Sequence, residues 1–309
     1  MATWGFAVLR LTGFLAAIGL VTSRAGLVAH ELVGHGGAAL VAGGEILAIR
    51  LFYVAGGWIR YRLPEPTVAW SSFVEISGIG IEAVIGLALL VAIRRDGFVA
   101  RIIRGIGAAL VAHACWYFAT GTWHGYGDFV RLHRELGDAR MPVALVVGLA
   151  SCAAAYFGAR IVLGSVAATI PGRRAARIAG VATACVLAGG LQIGLMLGET
   201  QLRRDETYGT IMRPERDRVI ARELAEWQRR QPRIDEAARA ARARELADQH
   251  RVFPFMPILG VLVAAATILG ARRARAAPDG PVPARFVAIA SILAIGSIAI
   301  VIALDAAIA

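Results

Sequence analysis

The chain has 309 residues, of which 57% are hydrophobic and 18% are charged. A soluble domain is usually about 45–50% apolar, so this composition and its long apolar runs exclude an ordinary soluble protein and indicate a helical membrane protein. The net charge of +11 lies mostly in loops, where anionic lipid headgroups attract basic residues. No nucleic-acid-binding module is recognisable, so we expect the lipid bilayer as a partner and no nucleic acid.

The apolar runs predict an all-α polytopic membrane protein with about eight transmembrane helices, a small interfacial β-hairpin and a charged helical loop segment. Arg10 interrupts the first run, which is similar to a signal peptide but lacks a clear cleavage site, so we interpret it as a membrane anchor. The eight predicted spans lie at about residues 4–22, 25–43, 67–93, 98–120, 141–164, 178–198, 253–271 and 285–307.

Residues 45–63 do not follow a helical pattern. Their side chains alternate in character on both sides of Gly56 and Gly57, which predicts a β-hairpin. A hairpin between two spans must lie at the membrane interface or in a protein-lined cavity. Its edge could hold an extended peptide by main-chain pairing, so Gly56, Gly57 and Trp58 are candidate substrate-binding residues.

The second half of the chain contains one long polar segment, residues 199–252. Two helices are predicted within it, at 215–231 and 234–250, and their mixed charge is typical of solvated helices. Together the patterns divide the chain into an anchor, a core with the hairpin, additional transmembrane helices, the charged segment and a C-terminal transmembrane hairpin, at residues 1–24, 25–140, 141–198, 199–252 and 253–309.

The run from His30 to His35, His-Glu-Leu-Val-Gly-His, lies inside an apolar segment. Ionisable residues at bilayer depth are costly and usually face a polar cavity. A His-Glu pair with a second His about one turn later is how a helix offers zinc two ligands and a general base. Five residues advance an α-helix by about 500°, which leaves the two rings about 140° apart. A π-bulge would realign them; in the alternative pairing, Glu31 and His35 align and His30 supports them.

A third ligand must come from elsewhere, because catalytic zinc sites use three protein ligands and leave a position for water. Asp128 follows two glycines after the fourth span and is the preferred candidate, with His124 and His113 as alternatives. Glu82 lies deep in the third span and could bind the metal or support a ligand. This pattern predicts a Zn²⁺ site at which Glu31 is the general base on zinc-bound water.

These features resemble the site-2 protease family of intramembrane zinc metalloproteases. The resemblance covers about residues 25–130, with the second His displaced by one residue, no proline in the glycine-rich helix segment and Phe rather than Gly after the aspartate. It rests, in chain order, on His30 to His35, Gly43-Gly44, the hairpin, Ser77-Gly78-Ile79-Gly80-Ile81-Glu82, and Gly127-Asp128.

The resemblance implies that residues 25–140 form a metalloprotease-like core in which His30, His35 and Asp128 bind Zn²⁺ and Glu31 activates water. A divergent member would cleave a membrane-protein or peptide substrate, in the bacterial inner membrane, with its active site near the cytoplasmic side. Two other hypotheses remain open: a non-proteolytic metal-binding pseudoprotease that binds transmembrane partners, and a proton or metal transporter that uses the intramembrane carboxylates and histidines.

Overall fold

The structure is a computed structural model that describes residues 3–94, 96–231, 235–274 and 282–308. It confirms the predicted class, an all-α polytopic protein with a small β-hairpin. Within the described residues, seven helical segments are long and apolar enough to cross a membrane: Trp4–Val41, Val68–Ala92, Phe98–His124, Gly127–Ala167, Arg174–Arg203, Phe255–Arg272 and Ala284–Ile308.

The first of these segments is one continuous helix and not the two predicted spans, so the count of about eight is corrected to seven. It comprises α1 (Trp4–Val28), a π-helical turn (Ala29–Gly36) and α2 (Gly37–Val41). The predicted spans, 4–22 and 25–43, leave Ser23 and Arg24 between them. Arg24 is only 2% exposed and its guanidinium donates to backbone carbonyls, so this charge is satisfied inside the protein and the helix continues.

The predicted hairpin is present. Strand β1 (Glu45–Leu51) pairs antiparallel with β2 (Gly57–Arg62), with one irregularity in register near Ala48. The loop between them is residues 52–56, which we call the hairpin loop. Apolar side chains of the hairpin pack against the first helix and the last one, in a cluster that includes Leu27, Ile49, Leu51 and Val301.

The long helices pack in two groups. Helices α3 (Val68–Ala92), α4 (Phe98–His124), α6 (Arg140–Ala167) and α11 (Phe255–Arg272) pack on one another, and α3 also packs on the π turn. Helix α1 packs on α7 (Arg174–Arg203) and on α12 (Ala284–Ile308), which contacts β1. A short helix, α5 (Val130–Leu136), links α4 to α6.

The charged segment is helical, as predicted. It contains α8 (Glu206–Ile211), α9 (Glu215–Arg230) and α10 (Glu236–Gln249), and the last two contact each other. The predicted boundary at Pro232 lies outside the described residues. Because successive spans alternate in direction, seven crossings place the hairpin, Asp128, the charged segment and the end of α12 on one side.

Candidate metal centre

The π turn places His30 and His35 on the same face of the first helix. Hydrogen bonds in a π-helix join residues five apart, and His30 and His35 have this spacing. Their Nε2 atoms lie 3.1 Å apart, and the rings meet edge to face with centroids 4.7 Å apart. Both histidines are buried. The local structure is therefore the π-bulge that the spacing predicts, and the alternative in which Glu31 and His35 form the aligned pair is not observed.

Asp128 reaches the two histidines from the far end of α4. Gly125 and Gly127 have φ values of 65° and 61°, in the left-handed region that favours glycine. They turn the chain back so that a short 3-10 turn, Gly127–Phe129, presents the aspartate. Its Oδ2 atom lies 3.1 Å from His30 Nε2 and 3.3 Å from His35 Nε2. Three potential ligands thus meet at one point, although His30 and Asp128 are 98 residues apart in sequence.

The spacing of these three atoms suits a tetrahedral metal ion. Donors about 2.05 Å from zinc in tetrahedral geometry lie about 3.3 Å from one another, and the observed separations are 3.1, 3.1 and 3.3 Å. His35 Nδ1 lies 2.6 Å from the carbonyl of Val74, which can only accept a hydrogen bond. A neutral His35 therefore directs the lone pair of Nε2 towards the Asp128 carboxylate. Converging acceptors repel one another unless a metal ion or a proton lies between them.

Gly78 on α3 keeps the space beside the ligand atoms open. A Cβ atom at this position would lie 2.5 Å from His35 Nε2 and 2.6 Å from His30 Nε2. The backbone of α3 can approach so closely because residue 34 is also glycine; a Cβ there would lie 2.6 Å from the Cα atom of Gly78. The two glycines thus form a cradle over the donor atoms that any larger residue would fill.

Glu31 lies beside this centre and is 5% exposed. Gly57 at the start of β2 packs on it, since a Cβ at Gly57 would lie 3.3 Å from Glu31 Cγ. Among the described residues, no hydrogen-bond partner engages the Glu31 carboxylate. Together with Gly56 and Trp58, these residues line a cavity of about 1110 Å³ that also reaches His30 and Asp128.

The remaining candidates have other positions. Glu82 is buried and its Oε1 atom lies 2.8 Å from His30 Nδ1, so it holds the ring of a candidate ligand. His113 contacts the other oxygen of Glu82 at 2.9 Å and is not one of the three donors. His124 does not join the group either, and its buried Nε2 atom has no hydrogen-bond partner among the described residues.

A second set of buried charges holds the hairpin loop, and we call it the hairpin clamp: Arg24, Glu199, Arg203 and Asp305. The Arg24 guanidinium donates to three loop carbonyls, those of Phe52, Val54 and Ala55, at 2.7, 3.1 and 2.6 Å. The Glu199 carboxylate accepts from three loop amides, those of Tyr53, Val54 and Ala55, at 2.6, 2.7 and 2.9 Å. One helix therefore satisfies the carbonyls of the loop and another satisfies its amides.

The other two members complete the hairpin clamp. Asp305 on α12 accepts from the amide of Leu51 at 2.9 Å and lies 3.3 Å from Arg203, which lies 3.2 Å from Glu199. Sequence reasoning missed all four residues. A signal was available, because an ionisable residue in or at the end of an apolar run is expensive unless it is paired, but nothing in the sequence names the partners.

Helix α8 of the charged segment covers part of the cavity. Asp205 caps this helix and accepts a hydrogen bond from the Trp58 indole at 3.1 Å. The Tyr208 hydroxyl lies against the hairpin loop, and a Cβ at Gly56 would lie 2.8 Å from it. Burial raises the pKa of Tyr208 although a backbone hydrogen bond with Gly56 opposes the shift. The phenol therefore stays neutral, and the predicted Trp58 is fixed by a segment that we expected to be only solvated.

No protein-family model, curated protein or solved structure matches the chain. The geometry of the centre therefore carries the functional argument. It combines two imidazoles and a carboxylate at ligand spacing with a second carboxylate, Glu31, that has no hydrogen-bond partner among the described residues.

Proposed function

We propose that this protein is an intramembrane zinc-dependent endopeptidase similar to the site-2 protease family. The observation that carries the proposal is the convergence of His30, His35 and Asp128, with 3.1 to 3.3 Å between their ligand atoms, inside apolar helices and beside buried Glu31. Such a site is costly to keep in a membrane segment unless it has a function. The family resemblance adds the bacterial inner membrane and an active site near the cytoplasmic side to the proposal.

The donor set favours Zn²⁺. Two imidazoles and one carboxylate are among the ligand sets of catalytic zinc sites, which keep a further position for water. When bound, zinc makes that water acidic enough to lose a proton near neutral pH and polarises a carbonyl. Glu31 would accept the proton from water and deliver it to the leaving amine. Glu82 and the carbonyl of Val74 would hold the two ligand rings in place through their Nδ1 atoms.

The cavity supports a peptide as the substrate. Gly57, Trp58 and Ile59 of β2 line it, and within the described residues β2 pairs with β1 alone. The other edge of β2 could therefore align an extended substrate segment by main-chain hydrogen bonds. This matters because a transmembrane helix hides its peptide bonds until it is locally unwound. The predicted role of Gly56, Gly57 and Trp58 in substrate binding belongs to this proposal.

The pseudoprotease hypothesis depends mainly on the five-residue spacing between the histidines. The π turn weakens this argument for a pseudoprotease, because it brings the Nε2 atoms of both histidines together in spite of the spacing. The transporter hypothesis depends on a path of carboxylates through the membrane. Glu82 contacts His30 and His113, and His30 contacts Asp128. Glu75 lies two turns from Glu82 and makes no hydrogen bond to a histidine among the described residues, so this chain of contacts does not extend to it.

The test begins with metal content. We expect about one zinc per chain in detergent-purified protein after metal-replete preparation, and strong loss in His35→Ala and Asp128→Ala, with His250→Ala at the C-terminal cap of α10 as the matched control. We then expect Glu31→Gln to keep its zinc and to lose cleavage of a mixture of synthetic single-span transmembrane peptides, followed by mass spectrometry. Absence of zinc from the wild type, or cleavage by Glu31→Gln at the wild-type rate, would disprove the proposal.

A further inference from the structure

The carboxylate of Glu82 lies between the imidazole rings of His30 and His113. Glu82 is 5% exposed, and its two oxygens contact different histidines: Oε1 lies 2.8 Å from His30 Nδ1, and Oε2 lies 2.9 Å from His113 Nδ1. An ionised carboxylate only accepts hydrogen bonds. Each ring must then carry a hydrogen on Nδ1, and a neutral ring keeps the lone pair of Nε2 free. The same residue thus sets the tautomer of both rings.

The two rings face different surroundings. His30 directs Nε2 at the metal centre, 3.1 Å from Asp128. His113 lines the cavity, and its side chain is 57% exposed. Its ring stacks on Tyr117 with 7° between the planes and 6.1 Å between the centroids. Contacts at Nδ1 and on the ring face therefore fix the plane of His113, while Nε2 has no hydrogen-bond partner among the described residues.

We propose that Glu82 is a positioning residue that fixes the Nδ1–H tautomer on two histidines at once, so that His30 offers Nε2 to the metal and His113 offers Nε2 to the substrate. An imidazole nitrogen with a lone pair accepts hydrogen bonds, and a peptide backbone supplies N–H donors at regular intervals. His113 is thereby assigned as a hydrogen-bond acceptor for a backbone amide of the bound segment. The role of His113 rests on the proposed peptidase function; the role of Glu82 does not.

The first experiment reads the tautomers directly and needs neither metal nor substrate. Nuclear magnetic resonance of protein labelled with ¹⁵N-histidine distinguishes Nδ1–H from Nε2–H rings, and loss of one signal in His30→Gln or His113→Gln assigns each ring. We expect Nδ1–H for both in the wild type. In Glu82→Gln, the amide offers one acceptor and one donor group, so at least one ring should change tautomer. Glu75→Gln, a carboxylate two turns away on the same helix, should change neither.

Nε2–H on either ring of the wild type would overturn the proposal, and so would an unchanged pair in folded Glu82→Gln. The wild-type spectrum tests the predicted tautomers even if Glu82→Gln does not fold.

The second experiment separates the two rings by Co²⁺ titration, followed by visible absorption. Loss of a hydrogen-bond partner behind a ligand typically lowers metal affinity about 10- to 100-fold, which we expect for Glu82→Gln. His113→Ala should retain wild-type affinity for Co²⁺. An equal loss in both variants would show that His113 serves the metal and not the substrate.

Cleavage then tests the substrate role. Loss of one neutral hydrogen bond should raise KM about 2- to 10-fold in His113→Ala, with partial recovery in His113→Gln, whose side-chain oxygen can accept. An unchanged KM would overturn the assignment of His113. If the wild type binds Co²⁺ but cleaves no peptide, the peptidase function fails together with the substrate role of His113, whereas the tautomer and affinity results still decide the role of Glu82.

Discussion

The metal centre and the hairpin clamp are both buried polar clusters at the same side of the membrane, yet their charges are balanced differently. In the hairpin clamp, Arg203 pairs with both carboxylates, and Arg24 and Glu199 bind the backbone of the hairpin loop. In the metal centre, a carboxylate faces two imidazole nitrogens at 3.1 and 3.3 Å. The charges of the hairpin clamp are paired within the protein, whereas the three donors of the candidate metal centre could hold a cation.

This difference separates structural roles from chemical ones. A complete cluster orders the chain around it, because removal of any member leaves buried partners unpaired. A cluster whose charges are not paired within the protein can bind a ligand, and its contribution to stability then depends on the concentration of that ligand. The two clusters meet at the hairpin, where Gly57 packs on Glu31 one residue after the clamped loop. We therefore expect substitutions in the hairpin clamp to lower stability by the same amount with and without metal. Substitutions in the metal centre should lower stability only by removing the contribution of bound metal.

The largest effect should follow loss of Glu199. Glu199→Ala leaves three amides of the hairpin loop without their acceptor and removes one of the two carboxylates that pair with Arg203, and removal of one partner of a buried ion pair costs about 3–5 kcal/mol. Thermal unfolding in detergent should show a large fall in Tm, by the same amount with zinc and with chelator. Glu45→Gln removes an exposed ion pair with Arg62 and should change stability by at most about 1 kcal/mol. A fall in Tm seen only with zinc would contradict the proposed separation.

Much of this fold could be predicted from the sequence, because most of its elements follow from local patterns. Apolar runs predict spans and alternation predicts the hairpin, because both patterns are local. The π turn was one of two interpretations of the five-residue spacing of His30 and His35, and the structure has this one. The prediction of two separate spans on either side of Arg24 was wrong. The carbonyls that accept hydrogen bonds from Arg24 lie in the hairpin loop, so they are not visible in the sequence of its own helix.

The hairpin clamp and the metal centre were hard to predict because their members are far apart in sequence. Tyr53 and Glu199 are 146 residues apart, and Leu51 and Asp305 are 254 apart; no local pattern marks such pairs. Asp128 was predicted only because glycines beside it and the order of motifs indicated a return to the histidines. Glu199 and Asp305 belong to the part of the chain, after residue 130, that has no recognisable motif.

A smaller effect, confined to the metal centre, should follow Gly78→Ala. The added methyl group would lie about where the ligand nitrogens meet, so we expect zinc content near zero. With metal at about 100 times Kd, bound zinc stabilises the wild type by about 2.7 kcal/mol, and the variant should lose this increment. Gly80→Ala, two residues later, meets no atom within 4 Å and should keep its zinc. Normal zinc content in Gly78→Ala would show that the metal does not lie beneath this residue.

The smallest effect should come from Asp205, where the charged segment meets the cavity. Asp205→Ala removes the cap of α8 and the acceptor of the Trp58 indole, and loss of a helix cap costs about 1 kcal/mol. Amides of α8 should exchange hydrogen about fivefold faster, since that energy shifts a local opening equilibrium by this factor, while zinc content stays unchanged. Asp205→Asn keeps a capping oxygen and should retain slow exchange. If Asp205→Ala instead loosens the hairpin loop as much as Glu199→Ala does, α8 and the hairpin clamp form one cooperative unit, and the loop that packs beside Glu31 depends on the charged segment as well as on its buried charges.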